Sequence, residues 1–103
     1  MKAFIRNNEP EGILFDISNQ FTSKRIEDLL HCYARMILTD FRFVFNYTHC
    51  CLFINKSDPS LTEFQKVFSF VGVVDKRVAI LFLEEKIDKK RDYTAHHFAS
   101  ISL

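Results

Sequence analysis

Seven side chains with metal-binding or redox chemistry fall into three short clusters of the sequence. A histidine and a cysteine are adjacent at 31–32, a histidine and two cysteines at 49–51, and two histidines at 96–97. Thiolate sulfur and imidazole nitrogen are the usual ligands of zinc, but a structural site needs four ligands around one ion. Neither a C-x-x-C nor an H-x-x-x-H spacing is present. We therefore expect no metal and no other cofactor, with the cysteines serving as small apolar residues.

The middle cluster, His49-Cys50-Cys51, would be divided if it lies in a strand. Successive side chains of a strand point to opposite faces of the sheet. His49 and Cys51 would share one face and Cys50 would lie on the other, so the adjacent histidine would not activate Cys50 as a nucleophile. The sequence also lacks a P-loop, a Gly-rich dinucleotide turn and a G-x-S-x-G elbow. We therefore predict no catalytic residue and favour a non-enzymatic protein over an enzyme.

Asp16 interrupts the apolar segment ILFDIS at 13–18. A carboxylate near the end of a strand can bind a metal ion or act as a general base. The more ordinary role of such an aspartate is to face solvent or to cap a turn. A basic cluster later in the chain could add phosphate contacts, although runs of this kind most often form solvated links. Its members are Lys86, Lys89, Lys90 and Arg91.

A strictly alternating aromatic segment, FRFVFNY at 41–47, predicts a half-buried strand. Three roles fit this pattern: burial against helices, a dimer interface, where aromatic residues are enriched, or stacking on single-stranded nucleic acid. The candidates for a protein interface are the aromatic residues of this segment and one aromatic residue near the C-terminus: Phe41, Phe43, Phe45, Tyr47 and Phe98.

The composition bounds the class of protein. The chain has 103 residues, 48% of them hydrophobic, with twelve phenylalanines and a net charge of +1. One folded domain over 1–103 is expected at this length. The near-neutral charge gives no overall attraction to nucleic acid or to an anionic membrane, so we expect no membrane association. An odd number of cysteines and a start that does not resemble a signal peptide predict a cytoplasmic protein.

Hydrophobic periodicity predicts two helices and several strands. Apolar residues three and four positions apart predict helices over 23–38 and 57–72. Ser60 and Glu63 fit a capping box for the second helix, and Asp58 followed by Pro59 fits an alternative start one turn earlier. Strands are expected at 2–6, 13–18, 40–47, 50–55 and 77–84. Residues 86–103 combine a charged link with a segment that could form an extra strand, a short helix or a docking tail.

This order of elements predicts an α+β fold, with a ferredoxin-like βαββαβ sandwich extended at both ends. If residues 41–55 form one long bent strand, the skeleton becomes a βαβαβ α/β sandwich instead. The order of elements resembles that of the smaller of the two CRISPR spacer-integration proteins. The resemblance runs from a strand ending at Asp16 through a helix, two strands and a helix near LTEF at 61–64 to a last strand. This resemblance implies a ferredoxin-like dimer in which Asp16 supports metal-dependent nuclease activity. The aromatic second strand departs from that family's pattern.

The leading hypothesis is a small non-enzymatic protein-binding domain that acts through an apolar-aromatic surface. It would serve as an inhibitor, accessory or regulatory protein, either as a homodimer or bound to a larger partner. Twelve phenylalanines are more than two amphipathic helices and a few strands easily bury in so short a chain. The alternative is a ferredoxin-like nucleic-acid-binding protein or a metal-dependent nuclease that uses Asp16.

Overall fold

A computed structural model describes residues 6–9, 11–21, 23–46 and 49–102, and it places side chains for 11–18, 20–21, 23–45 and 49–91. These residues form a small mixed α+β structure. Its elements in chain order are β1 (Arg6–Glu9), β2 (Gly12–Asp16), α1 (Ile17–Gln20), α2 (Lys24–Ile37), β3 (Phe41–Asn46), β4 (His49–Asn55), α3 (Leu61–Val73) and α4 (Lys76–Ser102).

The four strands form one antiparallel sheet in the order β1-β2-β4-β3. Phe15 of β2 lies opposite Leu52 of β4, and Phe43 of β3 lies opposite the same residue on the other side. Because side chains alternate along a strand, these three residues share one face of the sheet. The two edges of the sheet are β1 and β3.

The helices build one hydrophobic core on that face of the sheet. Phe15 contacts Phe64 and Phe68 of α3 with ring centroids 5.3 and 5.1 Å apart, both edge to face, an arrangement that aromatic pairs prefer. Helix α4 packs mainly along α2, and it buries a stripe of residues four positions apart, Ala79, Leu83 and Ile87.

Helix α2 confirms the sequence-based prediction. Ser23 caps it, because the Ser23 hydroxyl accepts a hydrogen bond from the backbone N–H of Ile26 at 3.3 Å. This satisfies one of the donors that a helix start leaves unpaired. The buried side of the helix carries Ile26, Leu29, Leu30, Tyr33, Ala34 and Ile37, in the three- and four-residue spacing that predicts it.

The start of α3 differs from the predicted capping box. Ser60 makes no side-chain cap, and Glu63 instead accepts a hydrogen bond from the hydroxyl of Tyr33. The buried Asp58 provides the side-chain hydrogen bonds at this helix start instead. Its carboxylate accepts backbone N–H bonds from Thr39 and Asp40 at 2.9 and 2.8 Å and from Ser60 at 2.9 Å. Asp58 thus joins the start of α3 to the turn that follows α2.

The prediction of a strand at 77–84 is wrong, because these residues lie in helix α4. A short apolar run can belong to a buried strand or to a helix, and its periodicity does not separate the two. Here Leu83 and Ile87 continue the spacing of Ala79 into the charged segment, so residues 84–91 belong to the same helix and are not a link. Residues 92–102 continue this helix, so 86–102 is not an extra strand.

Residues 41–55 form two strands, since β3 and β4 pair antiparallel with Asn46 opposite His49. This excludes the single long strand of the βαβαβ alternative. The ferredoxin-like order is not confirmed either, because the strand order is β1-β2-β4-β3 and the expected last strand is helical. The likeness to the spacer-integration family depended on that last strand and is not supported.

Across the described residues, none of the helices has the combination of length and apolar character needed to cross a membrane.

Candidate protein-binding surfaces

The middle cluster, His49-Cys50-Cys51, is split as strand geometry predicts, but Cys50 forms a pair with His31 across the fold. Cys50 Sγ lies 3.5 Å from Nε2 of His31, and the backbone N–H of Cys50 donates to the Ser18 hydroxyl at 2.7 Å. Burial raises the pKa of the Cys50 thiol and lowers the pKa of the His31 imidazole. Both shifts favour a neutral thiol beside a neutral ring, which is the opposite of an activated thiolate–imidazolium pair.

Asp16 and His49 lie near each other on the opposite face of the sheet. Asp16 pairs with Cys51 in the strand register, and Oδ1 of Asp16 is 3.9 Å from Nδ1 of His49. Burial, followed by the Asp16 charge, raises the pKa of the Cys51 thiol. In the part of the chain that the structure describes, no three His, Cys, Asp or Glu residues are placed to hold a metal ion.

The basic cluster lies on the helical side of the molecule. Lys90 Nζ is 3.9 Å from a carboxylate oxygen of Glu63, and Arg91 points a guanidinium nitrogen to within 3.8 Å of Cys32 Sγ. Asp16, by its register, belongs to the sheet face turned away from the helices. The structure therefore does not bring together the residues that the nuclease alternative requires.

An apolar groove opens between α3 and α4. Phe70 of α3 and Phe82 of α4 contact each other with ring centroids 4.6 Å apart. The two rings belong to a groove with a volume of about 520 Å³, whose other lining residues are Thr62, Glu63, Lys66, Val67 and Lys86. Phe70 remains 39% exposed despite its ring contact, so the groove presents aromatic surface to solvent.

Other exposed aliphatic side chains belong to the same two helices. Val73, one turn after Phe70, is 80% exposed, and Leu81, next to Phe82, is 67% exposed. Val78 is also exposed and lies three and four residues before Leu81 and Phe82, which places all three on one side of α4. We call these residues and the two rings the α3–α4 surface. The sequence does not predict this surface, because the apolar run at 77–84, which forms half of it, is also typical of a strand.

Two lysines line the apolar groove of the α3–α4 surface. Lys86 holds its ammonium 5.4 Å from the centre of the Phe82 ring, and it lines a second hollow together with Glu63, Lys89 and Lys90. Lys66 lines the groove from α3. The carboxylate of Glu63 is already engaged by the Tyr33 hydroxyl and lies near Lys90. The rim of the apolar groove is therefore predominantly positive.

The predicted aromatic strand is only partly buried. Phe41 and Phe43 pack against the core, with the Arg35 guanidinium 4.8 Å above the Phe43 ring, but Phe45 is 70% exposed. Tyr47 lies outside the described residues, and the side chain of Phe98 lies outside the described side chains. Whether this aromatic set binds a protein stays a prediction. The described part of this set extends from Phe41 and Phe43, which pack against the core, to the exposed ring of Phe45 at the sheet edge.

Comparisons with protein-family models, with curated proteins and with solved structures each gave no match.

Proposed function

We propose that the protein is a non-enzymatic binding domain whose α3–α4 surface receives an amphipathic helix of a partner protein. The observation that carries this proposal is the Phe70–Phe82 pair, two rings in contact that line an open groove. An exposed apolar groove with polar residues at its rim is a common mark of a protein-interaction site. Aromatic side chains in a concave site are also the usual anchors of protein interfaces.

The shape of the groove favours a helical ligand. Two antiparallel helices in a hairpin leave a furrow along their line of contact, and a third helix fits such a furrow with residues at positions i, i+3, i+4 and i+7. Val73 and Leu81 lie beside the two rings and would cover the flanks of a bound helix. Burying each such side chain contributes about 1.5–3 kcal/mol.

The charge of the rim favours an acidic ligand. Lys66 and Lys86 line the apolar groove, and a partner helix with Glu or Asp beside its apolar stripe would complement them. Lys89 lines the adjoining hollow, where its ammonium lies 3.8 Å from the Glu85 carboxylate. Complementary charge at the rim chiefly increases the association rate and excludes wrong partners. The expected partner is therefore an amphipathic helix with acidic flanks, and a basic helix of the same apolar pattern should bind worse.

Selection of displayed peptides tests this proposal without a known partner. A library of random peptides is selected on the wild-type protein and counter-selected on Leu81→Asp, which places a charge at the flank of the α3–α4 surface. We expect enriched peptides to have apolar residues at helical spacing and acidic residues beside them, and to shift the NMR signals of α3 and α4 when added.

The matched control is Phe45→Asp, since Phe45 is as exposed as Leu81 but lies on the sheet edge. This variant should retain the selected peptides. Enrichment of peptides that bind Leu81→Asp equally well, or no enrichment at all, would contradict the proposal. Enrichment of basic peptides would agree with a binding role for the groove but contradict the role assigned to the lysines.

A further inference from the structure

The edge strand β3 offers backbone hydrogen-bonding groups that no described strand uses. The backbone N–H of Asn55 donates to the Asp40 carbonyl at 2.9 Å, which makes this a hydrogen-bonded pair of the β3–β4 ladder. In an antiparallel ladder, hydrogen-bonded and non-hydrogen-bonded pairs alternate. Arg42 and Val44 therefore direct their backbone groups toward β4. The outward-facing backbone groups belong to Phe41, Phe43 and Phe45.

The two edges of the sheet differ in how they are protected. Natural edge strands avoid pairing with other chains through charges, proline, bulges or short length. β1 consists of four polar residues, Arg6-Asn7-Asn8-Glu9. β3 reads FRFVFN, with one charge, no lysine and no proline, and its Phe45 and Val44 are exposed. Apart from Arg42, the β3 edge therefore carries none of these protective features.

We propose that two copies of this chain pair through β3, antiparallel and edge to edge, across a two-fold axis at Phe43. This register places Phe43 opposite its own copy and Phe41 opposite Phe45. All three outward-facing residues then form hydrogen-bonded pairs, which gives six intermolecular backbone bonds by the antiparallel pattern. The occupant of the edge is a second copy because the alternation of the strand is self-complementary under this rotation.

The side chains also match in this register. The exposed ring of Phe45 lies across from Phe41 of the other copy, and cross-strand aromatic pairs of this kind stabilise sheets. On the opposite face, Arg42 lies across from Val44, so the two arginines do not oppose each other. The paired strands would join two four-stranded sheets into one continuous sheet, with the helices of both copies on the same face.

Two substitutions at Phe45 separate the backbone from the ring. Phe45→Thr removes the ring but keeps the outward N–H, whereas Phe45→Pro removes both; proline is tolerated on an edge where the N–H does not serve the internal ladder. Sedimentation velocity on the full chain should show a dimer for the wild type. The dimer dissociation constant should rise about tenfold for Phe45→Thr, from loss of two ring pairs, and roughly a hundredfold or more for Phe45→Pro.

Amide hydrogen exchange gives a second readout that folding defects would not mimic. In the wild type, the amides of Phe41, Phe43 and Phe45 should be protected only at dimer concentrations, while those of Arg42 and Val44 should be protected at all concentrations. A monomer at every soluble concentration would overturn the proposal. So would a dimer that Phe45→Pro leaves intact, or one in which the outward amides exchange freely, because association would then use another surface.

Discussion

Phe64 and Phe70 lie six residues apart on α3, and each packs its ring against another phenylalanine, but they differ in burial. Phe64 is fully buried and contacts Phe15 of the sheet, whereas Phe70 is 39% exposed and contacts Phe82 across the groove. The two positions are about 120° apart around the helix. One helix therefore supplies aromatic surface both to the core and to the exterior. The difference predicts that the first contact contributes more to stability than the second.

The largest effect should come from the buried member of this comparison. Phe64→Ala should lower the free energy of unfolding by about 3–5 kcal/mol, because it removes a ring that contacts Phe15 and Phe68 and leaves a cavity. Phe70→Ala should cost about 0.5–1.5 kcal/mol, from its single ring contact. Urea unfolding followed by circular dichroism measures both. Equal losses in the two variants would show that the groove belongs to the core.

The sequence alone predicts the buried side of this comparison better than the exposed side. The stripe of Phe64, Val67, Phe68 and Val71 is visible at helical spacing, and the structure buries all four. The Phe70–Phe82 pair cannot be predicted from spacing, because residues 78–83 are all apolar and show no hydrophobic periodicity. Only the buried spacing of Ala79, Leu83 and Ile87 into the charged segment indicates a helix there.

Other parts of the molecule depend on tertiary placement and have no local signal. The pairing of His31 with Cys50 requires α2 to pack over β4, and these residues are 19 positions apart. Asp58 followed by Pro59 is a local signal for a helix start, but the hydrogen bonds of its carboxylate to the turn at 39–40 have no such signal. Strict alternation, in contrast, predicts β3 well, because a half-buried strand carries its own period. Local patterns thus predict single elements, and the contacts between them follow from packing.

The next largest effect is expected at Asp58, which tests whether a polar contact can matter as much as a buried ring. Asp58→Ala leaves three backbone N–H groups without their acceptor and should cost about 2–3 kcal/mol. Asp28→Ala is the matched control, since Asp28 only pairs with Lys24 on the surface and should change stability by less than about 0.5 kcal/mol. If Asp58→Ala lowers the free energy of unfolding as little as Asp28→Ala does, then Asp58 does not stabilise the junction between α3 and the turn.

The same carboxylate predicts a pH dependence. Burial would raise the pKa of Asp58, but backbone N–H bonds from Asp40, Ser60 and Thr39 outweigh burial and lower it. A lowered pKa contributes stability that is present above the unfolded value of about 3.9 and is lost as the pH falls through the folded value. Urea unfolding should show the difference between wild type and Asp58→Asn shrinking below about pH 4. A constant difference would mean that the charge does not contribute.

A smaller effect is expected at Tyr33, which links the core to the rim of the groove. Its ring is buried and stacks near Phe64, while its hydroxyl donates to Glu63. Tyr33→Phe should cost about 1–2 kcal/mol, because Glu63 retains solvent access and Lys90 as a neighbour. The freed carboxylate should also weaken binding of an acidic peptide to the groove. If the variant has lower stability but unchanged peptide affinity, the Tyr33–Glu63 hydrogen bond contributes to folding and not to peptide binding.

The smallest effect on stability is expected at Leu81, where the comparison between core and surface becomes sharpest. Leu81→Asp should change the free energy of unfolding by less than about 0.5 kcal/mol, because the side chain is 67% exposed and its removal leaves no cavity. The same variant should abolish binding of peptides selected on the α3–α4 surface, because a carboxylate would be buried against an apolar ligand. Residue 81 would then affect function without affecting the fold. If Leu81→Asp instead unfolds the protein, the exposed strip belongs to the core and the proposed binding surface is lost with it.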